Sequence, residues 1–415
     1  MSAPEIVTFG CRLNAFESEV IRDQTLVTGL ADTVVFNTCA VTAEAERQAR
    51  QAIRKVRRNR PGSRIVVTGC AAQIDPSRFA AMDEVDQVLG NAEKLRAESY
   101  QSLSTPPILV DDIMNARETA HHLVAGFEGR ARAFVQIQQG CDHRCTFCII
   151  PFARGPNRSI PTGRIIDQVQ QLVTNGIREV VLTGVDITDY GLDLTDRSSL
   201  GRMVRSLLHE IPELPRLRLT SLDAVEVDDE LLSVFADEPR LMPHIHISAQ
   251  SGDDTILKRM KRRHSRADLI RFCTRVRRAR GDAVFGADLI AGFPTETDEM
   301  FKNSLSIIEE CGFTYLHVFP YSERPRTPAA RMPQVPVPVR KQRAGRLREA
   351  GQQRLTSYLD KRCGAKVRVL VETKHGGRCE HYARVTLDRD TTPGEIVTAV
   401  VEHREQLGLR ARLIG

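Results

Sequence analysis

Hydrophobic positions near the start of the chain fall in short β-rich runs, separated by stretches where they recur at helical spacing. Ile6-Val7-Thr8-Phe9 reads as a buried strand, and residues 14–29 follow with apolar positions three and four apart. A second strand is predicted at 34–37 and a third at 64–68. Between them lies a helix over 42–60, capped by Thr42 and stopped before Pro61-Gly62. Alternation of this kind predicts an α/β unit with a parallel, doubly wound sheet. Residues 95–130 carry Ser, Thr, Pro-Pro and His-His with no clear period, and read as a connector.

A second βα series then begins. Strands are predicted at 134–138, 180–183, 216–220, 244–248, 284–290 and 315–319. Helices are predicted at 164–174, 200–209, 255–262, 266–278 and 296–310. Six βα units in about 200 residues fit a partial (β/α)6 barrel rather than the full eight. Prolines crowd 320–338 and mark a boundary, followed by a basic helix over 340–359. The rest reads as short strands at 366–372, 382–387, 395–401 and 407–414, separated by Gly-Gly and Pro-Gly turns. That pattern suits a small all-β barrel of OB-like type, and such barrels often bind oligonucleotides.

Composition narrows the class. With 41% hydrophobic and 27% charged residues in 415, the chain is globular rather than disordered. No run approaches the roughly 18 apolar residues of a membrane span. The first residues lack a basic start followed by an apolar block, so a cytoplasmic protein with no membrane partner is expected. Ten cysteines are too few for a disulfide scaffold of this size, and clustered ones point to metal or catalysis. The net charge of +6 understates the basic pattern. Residues 50–64 hold seven Arg/Lys, 258–280 eleven and 340–354 six. Such blocks suit a nucleic-acid backbone, although each could also be a solvated helix face.

The strongest chemical signal is Cys141-Asp142-His143-Arg144-Cys145-Thr146-Phe147-Cys148, just after the first barrel strand. Three thiolates on one loop fall one short of the usual four-cysteine set of an iron–sulfur cluster and leave one iron open. A zinc site completed by His143 is the alternative. A second set is dispersed. Cys11, Cys39 and Cys70 each end a predicted strand, and ligands of open parallel sheets gather beyond strand C-termini. Cys273, Cys311, Cys363 and Cys379 stand alone and read as apolar filler.

With Cys141-x3-Cys145-x2-Cys148 on a partial barrel, three upstream cysteines and a terminal β module, the chain resembles the radical S-adenosylmethionine methylthiotransferases. The resemblance implies an N-terminal methylthiotransferase domain over 1–115, a radical core over 127–357 and an RNA-binding TRAM domain over 358–415. Four stretches, 8–14, 37–42, 150–156 and 316–332, are similar to the subgroup acting on threonylcarbamoyladenosine beside the tRNA anticodon. The cofactors so implied are S-adenosylmethionine and two 4Fe-4S clusters, one on Cys141, Cys145 and Cys148 and an auxiliary one on Cys11, Cys39 and Cys70. One S-adenosylmethionine would give the methyl group. A second would give the radical that removes hydrogen from carbon 2 of the adenine.

Phe147 would wall the first cluster. Gly184, Asp186, Gln250, Arg263 and Asp288 match family segments lining the S-adenosylmethionine site. Implied partners are the tRNA anticodon loop and a low-potential electron donor such as flavodoxin or ferredoxin. The oligomeric state is left open. Methylthiolation of isopentenyladenosine or of a ribosomal-protein aspartate is the nearest alternative, and a zinc-stabilised, non-catalytic RNA-binding protein the alternative of another class.

Overall fold

The structure, a computed structural model, describes residues 4–101, 107–117 and 131–414. Its N-terminal sheet is parallel and holds β1 (Glu5–Thr8), β2 (Thr33–Thr38), β3 (Arg64–Gly69), β4 (Gln87–Leu89) and β5 (Ile108–Leu109), side by side in chain order. Both faces are covered. Val34, Phe36, Ile65 and Val67 meet Ile53 of the helix Ala43–Asn59 on one side. Val35 and Val66 meet Ile21 of the helix Arg12–Val27 on the other. Double burial is why β2 and β3 are near-continuous apolar runs rather than alternating ones. Thr42 caps its helix as expected, its hydroxyl accepting from the Ala45 N–H at 3.2 Å.

The sheet departs from the sequence reading in two respects. β4 and β5 are too short to show a period, and β5 sits inside the stretch read as a connector. The connector's residues 102–106 and 118–130 lie outside the described residues. Strand order also never reverses. The upstream thiols lie beyond the C-terminal ends of three neighbouring strands.

The central unit is the expected partial barrel of six parallel strands. They are β6 (Arg132–Gln136), β7 (Glu179–Thr183), β8 (Arg216–Leu219), β9 (His244–Gln250), β10 (Val284–Ala291) and β11 (Phe313–Pro320). β8 breaks at Thr220 and continues through Ser221–Leu222, which pairs with β9 and joins the two halves. Outward side chains such as Val135, Leu182, Leu217, Ile247 and Leu289 share one large core with the surrounding helices. Alternation then turns Arg132, Glu179, Arg218, His244, His246, Asp288, Tyr315 and His317 into the lumen, which is polar.

β6 and β11 are the edges of the open barrel. The N-terminal unit spans the gap between them. Its helix Arg12–Val27 packs on β6. The Ala43 N–H donates to the Ser322 hydroxyl at 3.2 Å, and Glu46 pairs with buried Arg324, both just past β11.

The chain's last residues close a five-stranded barrel: β12 (Lys366–Thr373), β13 (Gly376–Cys379), β14 (Arg384–Leu387), β15 (Ile396–Glu405) and β16 (Gly408–Leu413). Four strands were expected, because Gly376-Gly377 reads as a turn. These glycines begin β13 instead. A Cβ on Gly377 would lie 1.7 Å from the Leu370 carbonyl oxygen, so only glycine fits between the strands. This module plugs the N-terminal end of the central barrel. Arg216 donates to the Arg368 carbonyl at 2.7 Å and Arg218 to that of Cys379 at 2.9 Å. The Tyr382 ring stacks on His244 at 4.9 Å. No described helix is long and apolar enough to cross a membrane.

Candidate active site: two thiol sets at strand ends

All ten cysteines are free thiols. In the upstream set, Cys11 precedes the first turn of its helix, Cys39 directly follows β2, and Cys70 starts the short helix Cys70–Ile74 after β3. The three approach closely enough for each thiol's charge to bear on the others. Gly10 makes room for this. Its φ of +96° suits glycine, and a Cβ there would fall 2.8 Å from the Cys39 sulfur.

A buried charge network underlies this set. The Arg154 Nε donates to the Cys70 sulfur at 3.1 Å. Its other nitrogens reach Glu17 at 2.9 Å, Asn14 at 2.5 Å and Gln139 at 2.7 Å. Lys94 donates to the same Glu17 at 2.7 Å and to Asn91 at 2.7 Å. Glu17, Lys94 and Arg154 are all buried. Burial works against the Glu17 charge, but the Arg154 and Lys94 cations overcome it and hold its carboxyl below the usual range. Two cations against one anion leave one positive charge beside the thiols. That suits a site whose thiols become thiolates when they bind iron.

The second set lies on the loop after β6. The Cys141 N–H donates to the Gly155 carbonyl and the Cys148 N–H to that of Cys145, both at 3.1 Å, and these bonds curl the loop on itself. Burial pushes the thiols of Cys39 and Cys148 up to about 12, so the bare site holds them neutral and a metal bound there would have to displace their protons. Arg262 donates to the Cys145 sulfur at 3.7 Å and pairs with Asp223 at 2.6 Å. A cavity of about 290 Å³ opens beside Cys145, lined by Asp142, His143, Arg144, Lys261, Arg262 and Arg263. Three soft sulfur donors with adjacent cations fit an iron–sulfur cluster at each set.

The helix Ile150–Arg154 begins two residues past Cys148 and ends on the arginine that touches Cys70. One five-residue helix therefore joins the two thiol sets.

Most of the other expected residues collect at the C-terminal end of the barrel. The Cys141 thiol donates to Asp186 at 3.7 Å, and His143 lies 3.0 Å from the same carboxylate. A Cβ on Gly184 would meet the Gln138 oxygen at 2.8 Å, and that oxygen accepts from the N–H groups of Val185 and Asp186 at 2.9 Å. Arg263 is half exposed and touches Glu226 and His143. Gln250 ends β9 with a left-handed φ of +65°. Phe147 packs edge-on to Phe293 at 6.4 Å, in an apolar cluster behind the loop. Asp288 lies apart, mid-strand in the lumen with His246 and His317.

Arg154, Glu17, Lys94 and Arg262 escaped the sequence reading. Arg262 and Arg263 are neighbours in one basic run, and nothing local says which turns inward. The basic blocks are also less free than their counts imply. Arg340 and Arg343 are buried, binding Val335 and Tyr321 carbonyls and Glu296 respectively. Lys55, Arg58, Lys258, Lys341 and Arg346 remain exposed.

Two family models match the chain: the Radical SAM superfamily over residues 135–308 and Uncharacterized protein family UPF0004 over residues 4–90. The threonylcarbamoyladenosine tRNA methylthiotransferase MtaB of Rickettsia prowazekii is 54% identical over 95% of this chain and 94% of its own length. The tRNA-2-methylthio-N(6)-dimethylallyladenosine synthase of Neorickettsia sennetsu is 31% identical over 98% and 91%. Among solved structures, the radical S-adenosylmethionine methyltransferase TsrM of Kitasatospora setae superposes with a TM-score of 0.55, covering 79% of this chain and 75% of that one at 15% identity. The last likeness is one of fold.

Proposed function

We propose a reaction from the premise that the chain belongs to the threonylcarbamoyladenosine tRNA methylthiotransferases of the radical S-adenosylmethionine superfamily: it places a methylthio group on carbon 2 of threonylcarbamoyladenosine beside the tRNA anticodon. The observation that carries this reading is the pair of three-thiol sets at neighbouring strand ends, joined by the helix Ile150–Arg154. Its cofactors are S-adenosylmethionine and two 4Fe-4S clusters, and we assign Cys141, Cys145 and Cys148 to one cluster and Cys11, Cys39 and Cys70 to the other. When bound, these groups supply hydrogen abstraction from an aromatic carbon, which acid–base chemistry cannot achieve, and the sulfur that replaces it.

The chain's own residues position and shield. Cys141, Cys145 and Cys148 each leave coordination room by being three rather than four. Gly184 keeps the barrel rim low, and Gln138 fixes the backbone turn that aims Asp186 at Cys141. Asp186, Gln250 and Arg263 are assigned to the cofactor side of the cavity and Phe147 to its apolar wall, whereas Asp288, expected there too, sits deeper in the lumen with His246 and His317. The N-terminal unit covers the open side of the barrel, and we assign its three thiols to the same cavity as the barrel's own set. We assign residues 1–115 to sulfur delivery, 127–357 to the radical step and 358–415 to gripping RNA. Exposed Lys and Arg on the helices would neutralise phosphate. The target base must leave its stack, which costs least in a loop such as the anticodon's. The reaction belongs in the cytoplasm, with flavodoxin or ferredoxin as electron donor.

Cysteine variants of the reconstituted protein test the assignment. Cys145→Ala is expected to abolish cleavage of S-adenosylmethionine. Cys39→Ala is expected to keep cleavage and lose sulfur transfer. Full methylthiolation by Cys39→Ala would remove the upstream cluster from the account.

A further inference from the structure

The lumen holds a group of side chains that the two thiol sets do not use. His246 on β9, Asp288 on β10 and His317 on β11 sit side by side on the inward face, set by the registers His246↔Gly286 and Asp288↔His317. One Asp288 oxygen serves both rings, at 2.9 Å from His246 Nε2 and 3.3 Å from His317 Nδ1. The two rings lie 4.8 Å apart, tilted by 37°. The place for them is built, because a Cβ on Gly286 would lie 2.4 Å from His246 Nδ1. His246 is buried, whereas the His317 side chain is 57% exposed although it faces inward. The reason is its position on β11, an edge of the open barrel.

His317 turns its Nδ1 to Asp288 at 3.3 Å, where a carboxylate favours the proton on that nitrogen. A proton held on Nδ1 leaves Nε2, on the far side of this exposed ring, as an acceptor. A cation reaches the same lumen from the N-terminal unit: Arg12, next in sequence to Cys11. One of its nitrogens donates to the Tyr382 hydroxyl at 3.4 Å. Its remaining donors are left for a ligand, since a guanidinium carries five. Arg12 and His317 both lie near enough to His244, deeper in the lumen, to bear on its charge. The lumen around His244 thus holds a fork-shaped cation and an imidazole acceptor.

A ligand matching this pair carries a carboxylate for the guanidinium and an N–H or hydroxyl for the imidazole. A threonylcarbamoyl substituent has all of these: a ureido N–H, a hydroxyl and a carboxylate. A dimethylallyl substituent has none. We infer that His317, held by Asp288 and packed against His246, acts with Arg12 as the specificity pocket for the threonylcarbamoyl tail of the target adenosine. The inference rests on the reading that this nucleoside is the substrate. A site built to hydrogen-bond a polar tail rejects a ligand lacking it strongly, because its own groups are then left unpaired.

Binding to synthetic anticodon stem-loops tests it, with the cluster-loaded protein. The nucleoside beside the anticodon would be threonylcarbamoyladenosine, its carboxamide analogue, or dimethylallyladenosine. The wild-type protein is expected to bind the first at least tenfold tighter than the other two. His317→Leu is expected to lose most of that preference and to raise KM more than it lowers kcat, while His317→Gln, which keeps an acceptor, recovers part of it. Arg12→Gln is expected to bind the carboxylate and carboxamide forms alike. Iron content and melting temperature report whether each variant is folded and loaded. Undiminished preference in a loaded His317→Leu protein overturns the pocket and leaves the reaction standing. A wild-type protein that methylthiolates only the dimethylallyl stem-loop overturns the substrate reading and the pocket together.

Discussion

Arg154 is the residue on which the two halves of the site depend. It is buried, it touches Cys70, and it shares Glu17 with Lys94. Removing it leaves Glu17 paired with Lys94 but strips Asn14, Gln139 and the other Glu17 oxygen of their donor, at a cost of about 1–3 kcal/mol for each buried group left unpaired. Arg154→Leu is expected to lower the melting temperature and to cut iron and sulfide from two clusters' worth toward one. Metal analysis and thermal unfolding of the same preparation check both. Two full clusters in that variant would mean that the network supports the fold and not the thiols. Cys141, Cys145 and Cys148 were legible as candidates because their spacing is itself the signal, and Cys11, Cys39 and Cys70 because each ends a predicted strand. Arg154 was not, since its meaning depends on Glu17 and Cys70, which lie 137 and 84 residues away.

At the scale of elements, long periodic segments were legible and short ones were not. β2, β3 and the six barrel strands carry unbroken apolar or alternating runs. β4 and β5 have three and two residues and no period to show. β13 was hidden for a different reason. Gly376-Gly377 has the composition of a turn, but the strands crowd so closely that nothing larger fits. Gly377→Val is expected to open the terminal barrel, seen as new protease cleavage after residue 360, while the central barrel stays resistant. A fully resistant chain would show that the β12–β13 pairing tolerates a side chain.

At the scale of the molecule, the three units meet around a polar lumen, and the sequence offered no view of that meeting. The basic blocks suggested RNA, but several of their arginines are spent on carbonyls and carboxylates inside the protein. His244 shows what the closure costs. Burial, and next the Arg218 guanidinium, push its proton off well below the ordinary 6.5. The unfolded chain takes that proton up as pH falls through about 6.5, and the folded chain does not. Each further unit of acidification therefore favours unfolding by up to about 1.4 kcal/mol from this group. His244→Phe keeps the stack on Tyr382 and is expected to flatten the fall in stability between pH 6.5 and 5. Denaturant midpoints at the two pH values measure it, and an unchanged slope would show that His244 is protonated in the folded state.

The measurement that bears most directly on the whole account is the nucleoside content of tRNA. The chain would be expressed in a bacterium lacking its own methylthiotransferases, beside a control with Cys141, Cys145 and Cys148 changed to Ala, and total tRNA nucleosides analysed by mass spectrometry. A methylthio mass shift on threonylcarbamoyladenosine, absent from the control, is the expected result. The same shift on isopentenyladenosine alone, or no shift on any nucleoside from a protein shown to hold both clusters, would contradict it.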